Sequence, residues 1–233
     1  AANSQTAGFR YNDEAFADIQ MLRYKVEGFE KLTLRQKALV YYLSEAALQG
    51  RDILFDQNGR YNLRIRRMLE TVYTQYSGDR NSKDFRELTT YLKRVWFASG
   101  IHHHYGSEKF QPGFSEKWLR QTLADLNYSL DEEIFPVIFN PEVMPMRVNQ
   151  KDGDDLILTS AENYYGPGVT QAEAEEFYTQ RKAVNDPHPI MMGLNSRLVK
   201  EDGELTEQVW REHGLYGSAI TRIIDCLQKA RPF

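Results

Sequence analysis

Residues 96–112 read WFASGIHHHYGSEKFQP: the end of an apolar-periodic segment runs into three consecutive histidines, a tyrosine and a turn. Gly100 and Gly106 bracket Ile101 to Tyr105, so a loop is expected here, with tight backbone and large polar rings standing clear of regular structure. Such rings have two uses. Neutral imidazole is a common metal ligand. However, extended backbone sends His102 and His104 to one side and His103 to the other, and a helix spreads neighbours about 100° apart. Three adjacent rings therefore do not converge readily on one ion, and no spaced Cys, Asp, Glu or His motif supplies further ligands. The other use is to line a cleft with aromatic and imidazole groups that pack on a peptide or polar ligand while donating hydrogen bonds. Taken by itself, the stretch reads first as a surface loop packed by Tyr105 and Phe110.

The segments around this loop are helical. Ser82 can cap a helix that carries Phe85, Leu88, Leu92, Val95 and Trp96 toward the core and ends at Gly100. Ser115 can cap another with Trp118, Leu119, Thr122, Leu123 and Leu126 inward. Upstream, Thr33-Leu34-Arg35-Gln36 has the form of a capping box, after which Leu39, Tyr42, Leu43, Ala46 and Ala47 share a face until Gly50. Ile65, Met68, Leu69, Val72 and Tyr76 repeat at helical intervals up to Gly78. On that helix Arg64, Arg66 and Arg67 form a small basic cluster, and Glu70 lies three and four residues beyond Arg67 and Arg66, which favours a solvated ion-paired face over an anion site. A first helix is expected within residues 11–29, with Phe16, Ile19 and Leu22 inward. Residues 131–139 form a further short apolar helix if Pro136 falls in its first turn.

The character changes near Val148. Residues 146–148 and 156–158 flank the polar turn Gln150 to Asp155 and read as a short hairpin; its acidic cluster lacks the spacing and terminal Glu of a calcium loop. Thr170-Gln171-Ala172-Glu173 is a second capping box, and Glu173, Glu175 and Glu176 suit a helix start better than paired-carboxylate catalysis. Pro187-His188-Pro189 should be extended. Residues 194–199 and 205–210 alternate across Glu201 to Glu204, a second hairpin, and Ser218 can cap a last helix carrying Ile220, Ile223, Ile224 and Leu227. The expected fold class is α+β: a mostly helical part over residues 1–145, then hairpins plus helices over 146–233, in a single body.

With 233 residues the chain can bury a substantial core. The 29 Lys and Arg stand against 33 Asp and Glu, a formal charge of -4, so no global basic field recommends nucleic acid. No apolar run has transmembrane length, and no membrane association is expected. The single cysteine, Cys226, excludes an intrachain disulfide and reads as a buried structural thiol. A cytoplasmic location is expected, with a periplasmic one open because a removed signal peptide would leave a start such as Ala1-Ala2-Asn3.

Three stretches carry a resemblance. Gly100-Ile101-His102-His103-His104-Tyr105-Gly106-Ser107-Glu108-Lys109-Phe110-Gln111-Pro112 resembles the Gly-Asn-Tyr-Lys-Ser-Phe-Gly-Asp-x-Lys-Phe-x-Pro segment of the dipeptidyl peptidase III family. Tyr164-Tyr165-Gly166 before Thr170 is similar to that family's Tyr-Phe-Ser-Gly-Asn-Cys-Thr. Asn195-Ser196-Arg197-Leu198-Val199-Lys200 with Asp202-Gly203-Glu204 is similar to its Asn-Thr-Arg-Leu-Phe-Lys and the hairpin that follows. The islands occur in family order, and bacteroidete members look nearer than animal ones.

The resemblance implies a hydrolase: a two-lobed zinc metalloprotease, an aminopeptidase-type exopeptidase that releases dipeptides from the free amino end of short peptides. Its zinc would be held by a His-Glu-x-x-Gly-His motif and a later Glu. That motif is absent, and Arg211-Glu212-His213-Gly214 lacks its second histidine and spacing. The chain is therefore expected to be the N-terminal portion, in the lobe facing the zinc-bearing one, with zinc in the complete enzyme but not on this chain. No catalytic residue is assigned to it, and alone it should be inactive. Its partners would be short peptides and the remainder of the enzyme. By resemblance His104 and Tyr105 line the substrate cleft, and they make the subsite bulkier than the Ser-Phe of animal members. Two rivals stand beside this reading: a stand-alone peptide- or protein-binding module without catalysis, and an independent metal enzyme using His102 to His104.

Overall fold

The structure, a computed structural model, describes residues 8–182, 187–188 and 190–233. The elements run β1 (Asn12–Phe16), β2 (Ile19–Leu22), α1 (Leu34–Gln49), α2 (Arg51–Asn58), α3 (Asn62–Gln75), α4 (Lys83–Ala98), α5 (Glu116–Asp125), α6 (Ile134–Phe139), α7 (Leu156–Thr159), α8 (Gln171–Thr179), β3 (Ser196–Glu201), β4 (Glu204–Val209) and α9 (Gly217–Ala230). Helices dominate, and among the described residues the strands form two antiparallel hairpins, so the fold is α+β and mostly helical. The expected extended run at Pro187-His188-Pro189 lies partly outside the described residues.

The main core is helical. Ile65, Met68, Leu69 and Val72 of α3 meet Leu88, Tyr91, Leu92 and Val95 of α4, while Leu119 and Leu123 of α5 and Phe135 and Ile138 of α6 close the remaining sides. These residues recur at three- and four-residue intervals, so each helix presents one apolar stripe to the others. Two of the three expected capping serines are in place: Ser82 accepts from Phe85 N, and Ser115 from Trp118 N. Trp96 departs from expectation. It is 39% exposed and donates Nε1 to Glu70 Oε1 at 2.8 Å, because an indole N–H needs a partner and the rim of the core supplies one. The arginine face of α3 is ion-paired, with Arg66 on Asp52 at 2.8 Å and Arg64 on Asp131 at 2.9 Å.

Three expected elements also fail. Residues 11–29 do not form a helix. Phe16 and Ile19 are cross-strand partners of the β1–β2 hairpin across Ala17 (φ 50°) and Asp18, so a three-residue apolar spacing that suits a helix also suits a two-residue turn. Residues 146–148 and 156–158 do not pair. Asp155 Oδ1 accepts from Ile157 N and Leu158 N, each at 2.9 Å, and this cap starts α7 where a strand was expected. The last helix begins at Gly217, behind Tyr216 (φ 59°) and not behind Ser218. Tyr216 is half-buried, and its hydroxyl donates to Asp56 Oδ2 at 2.6 Å.

A smaller second core, Val169, Ala174, Phe177 and Leu198, holds α8 against the β3–β4 hairpin, whose turn places Asp202 (φ 51°) and Gly203 (φ 86°) in the left-handed region. The Thr170 capping box forms as expected, Thr170 N donating to Glu173 Oε2 at 2.9 Å. The first and last helices pack together. Arg35 of α1 donates to the Pro232 and Phe233 carbonyls, and the Tyr42 and Phe233 rings stack at 5.8 Å.

Candidate functional site

Helix α4 delivers the histidine loop, and one contact fixes where it leaves. The chain turns at Ser99 (φ 53°), and Gly100 then passes so close to Asn62 that a Cβ there would lie 2.4 Å from Asn62 Nδ2. Asn62 is buried; it donates to Phe55 O at 3.1 Å and accepts from Ile101 N at 3.3 Å. Gly100 is thus needed for close approach, and the loop is pinned to the first turn of α3.

Beyond Gly100 the loop folds back on itself. Phe110 N donates to Ile101 O at 2.9 Å, His103 N to Glu108 O at 2.7 Å, and Ser107 N to His103 O at 3.1 Å. The three imidazoles part company. His102 is buried and its Nε2 lies 2.9 Å from the Met144 carbonyl, while Nδ1 has no hydrogen-bond partner. Burial, helped by the Lys109 and Arg147 charges, holds its pKa down at about 4. His103 Nδ1 accepts from the backbone N–H of Tyr105 at 3.2 Å and of Gly106 at 3.0 Å. His104 is sandwiched between rings, 4.9 Å from Phe97, 4.4 Å from His103 and 4.5 Å from Tyr105. Tyr105 stands at the tip, 87% exposed.

The loop also joins a larger structure. Lys109 N donates to Pro145 O and Arg147 N to Ser107 O, so residues 145–147 lie alongside the loop. Ala161 N and Glu162 N then donate to the carbonyls of Met146 and Arg147, which adds residues 161–162 as a further strand-like layer. The chain continues directly into Tyr164 and Tyr165. There Leu198 N donates to Tyr164 O at 2.9 Å and Gly166 N to Leu198 O at 2.7 Å, tying β3 to the series. Residues 101–110, 145–147, 161–166 and 198 therefore form one irregular ribbon laid over the helical core.

Side chains on this ribbon make a polar cluster. Arg147 Nε lies 3.7 Å from Glu162 Oε1 and has no hydrogen-bond partner. Burial raises the pKa of Glu162, against the opposing Arg147 charge, and burial together with Glu162 raises those of Tyr164 and Tyr165. A cavity of about 190 Å³ lies beside the cluster, lined among others by Arg60, Met144, Glu162, Asn163 and Tyr165. Neither His104 nor Tyr105 lines it. The ribbon links the histidine loop and the double tyrosine through backbone hydrogen bonds without closing them around this cavity.

Arg147, Glu162 and the acceptor role of His103 were not evident from the sequence. The ionic pair is fifteen positions apart in irregular backbone, where no periodicity links its members. Lys109 is a further surprise. It is buried, and its ammonium donates to the carbonyls of Val137, Asn140 and Val143.

Among the described residues no group of three or more His, Cys, Asp or Glu could hold a metal ion. Two of the imidazole nitrogens of the loop are already engaged, His102 Nε2 with the Met144 carbonyl and His103 Nδ1 with two backbone N–H groups. Among the described residues no helix is long and apolar enough to cross a membrane. No family model and no curated protein matches the chain.

Proposed function

We propose that this chain is the peptide-binding part of a zinc-dependent dipeptidyl peptidase III-like enzyme, with the bond-breaking machinery on polypeptide outside these residues. The observation that carries the reading is the ribbon. The three stretches on which the resemblance rests, around residues 100–112, 164–170 and 195–204, are far apart in sequence yet follow one another along a single hydrogen-bonded series. A peptide-binding surface requires such a scaffold, because recognition groups are useful only when rigid backbone fixes their direction.

In this reading Tyr105 and His104 meet the leading residues of the peptide. Tyr105 offers an open aromatic face and a hydroxyl, and His104 supports its ring from below. Aromatic packing of this kind contributes about 0.5 to 1.5 kcal/mol beyond the buried area. In this reading the metal and its chemistry belong to polypeptide outside these residues, as the resemblance implies, and these residues bind and orient.

The test is titration of the isotopically labelled chain with a short peptide that has a free amino end, and with its N-acetyl counterpart. The expected result is chemical-shift change at His104, Tyr105 and the ribbon for the free peptide, weaker change for the acetylated one, and no hydrolysis. Equal response to both peptides favours a general binding module and ends the exopeptidase assignment. Full-rate dipeptide release by the chain alone ends the division of labour.

A further inference from the structure

We propose that His103 is the positioning residue of the loop that presents Tyr105: its neutral imidazole caps the turn, and its protonation exchanges that cap for the carboxylates of Asp18 and Glu108 and frees the tip. The importance of Tyr105 for peptides rests on the function proposed above; the switch itself does not.

The turn has a local deficit of acceptors. The ladder ends with His103 N on Glu108 O and Ser107 N on His103 O, and the N–H groups of Tyr105 and Gly106 both point at His103 Nδ1, at 3.2 and 3.0 Å. A ring nitrogen accepts only through a free lone pair, so Nδ1 is bare and the neutral ring carries its proton on Nε2. A second proton on Nδ1 would face two N–H groups with no acceptor between them.

The surroundings supply the alternative state. Asp18 Oδ2, from the β1–β2 turn, lies 4.0 Å from Nε2, and Glu108 Oε1, from the loop itself, lies 4.0 Å from Nδ1. Neither makes a hydrogen bond to the neutral ring at that distance, and both are positioned to pair with an imidazolium. The other charged groups on this side are already engaged: Arg94 of α4 holds Asp18 Oδ1 at 2.8 Å and lies over Phe110, and the adjacent Lys93 pairs with Glu14 of β1. His104 stacks on the ring at 4.4 Å and completes the set. Tyr105 rests on His104 and His103, so loss of the His103 cap is transmitted to its ring.

The experiment follows the turn without peptide, on the full 233-residue chain. Imidazole nitrogen shifts report the tautomer and the charge of the ring, and protection of the Tyr105 and Gly106 amides from hydrogen exchange is measured from about pH 8 to about pH 5. Wild type should have its proton on Nε2 at the upper end and lose protection at these two amides by about tenfold on acidification, beyond the intrinsic pH effect. His103→Asn places an oxygen acceptor near Nδ1 that does not titrate, and should stay protected throughout. His103→Ala should be unprotected throughout. A neutral ring with its proton on Nδ1, unchanged protection when the ring is charged, or a His103→Asn protein that behaves like His103→Ala overturns the proposal. A working switch in a chain that binds no peptide would leave this inference standing and remove the peptide-binding reading.

Discussion

The ammonium of Lys109 donates to the carbonyl oxygen of Val137 across 2.9 Å, inside the protein. Val137 belongs to the short helix α6, and Lys109 also reaches the carbonyls of Asn140 and Val143 just past its end. A cation at this place complements the negative end of the helix and satisfies carbonyls that lack partners within it. It also binds the base of the histidine loop to the helical core. Burial lowers the Lys109 pKa, with Glu142 opposing, as expected for an ammonium largely withdrawn from water. Lys109→Met keeps the stem and removes the donors, so chemical denaturation should show a loss of about 2 to 3 kcal/mol.

His102 predicts a pH dependence. Its folded pKa of about 4 lies below the ordinary 6.5, so between these values the unfolded chain binds the proton and the folded chain does not. Stability therefore falls as pH drops from 6.5 toward 4, by up to about 3 kcal/mol in total, and is fully present above 6.5. Urea midpoints of wild type and His102→Gln across this window check it. The difference between the two proteins should shrink as the pH falls, because the variant has no imidazole to charge.

Tyr105→Ala should separate binding from folding. With 87% of the side chain exposed, its removal should change stability by no more than about 0.5 kcal/mol in a thermal or urea melt. Under the peptide-binding function proposed above, peptide affinity should fall by about twofold to tenfold in a direct titration, the range that corresponds to one aromatic contact.

Tyr216→Phe should loosen the junction between the helical core and the last helix. The hydroxyl donates to Asp56 Oδ2, which also accepts from Asn163 Nδ2 at 3.1 Å, so this carboxylate links α2, the ribbon and the start of α9. Burial and the Asp56 carboxylate both raise the Tyr216 pKa, so the phenol stays protonated and keeps donating. Deleting the hydroxyl should cost about 1 to 2 kcal/mol by denaturation and raise amide exchange at Gly217 and Ile220.

Leu92→Ala tests the core itself. Leu92 of α4 is fully buried in the main core, and its truncation should cost about 2 to 5 kcal/mol by denaturation, depending on how far the neighbours collapse into the space.

The sequence by itself determined the helices that carry the core, the capping boxes at Thr33 and Thr170, the β3–β4 hairpin and the loop after α4, because each is written in contacts between residues three or four apart or directly across a turn. It misread residues 11–29, where one apolar spacing satisfies both a helix and a tight hairpin, and residues 146–158, where the Asp155 cap outcompeted strand pairing. Only the tertiary structure decided that residues 145–147 join the histidine loop to residues 161–162, that Lys109 is buried on α6, and that His103 holds the turn beneath Tyr105. Those relations depend on backbone groups finding partners across long separations, and such pairing leaves no period in the chain from which it could be read.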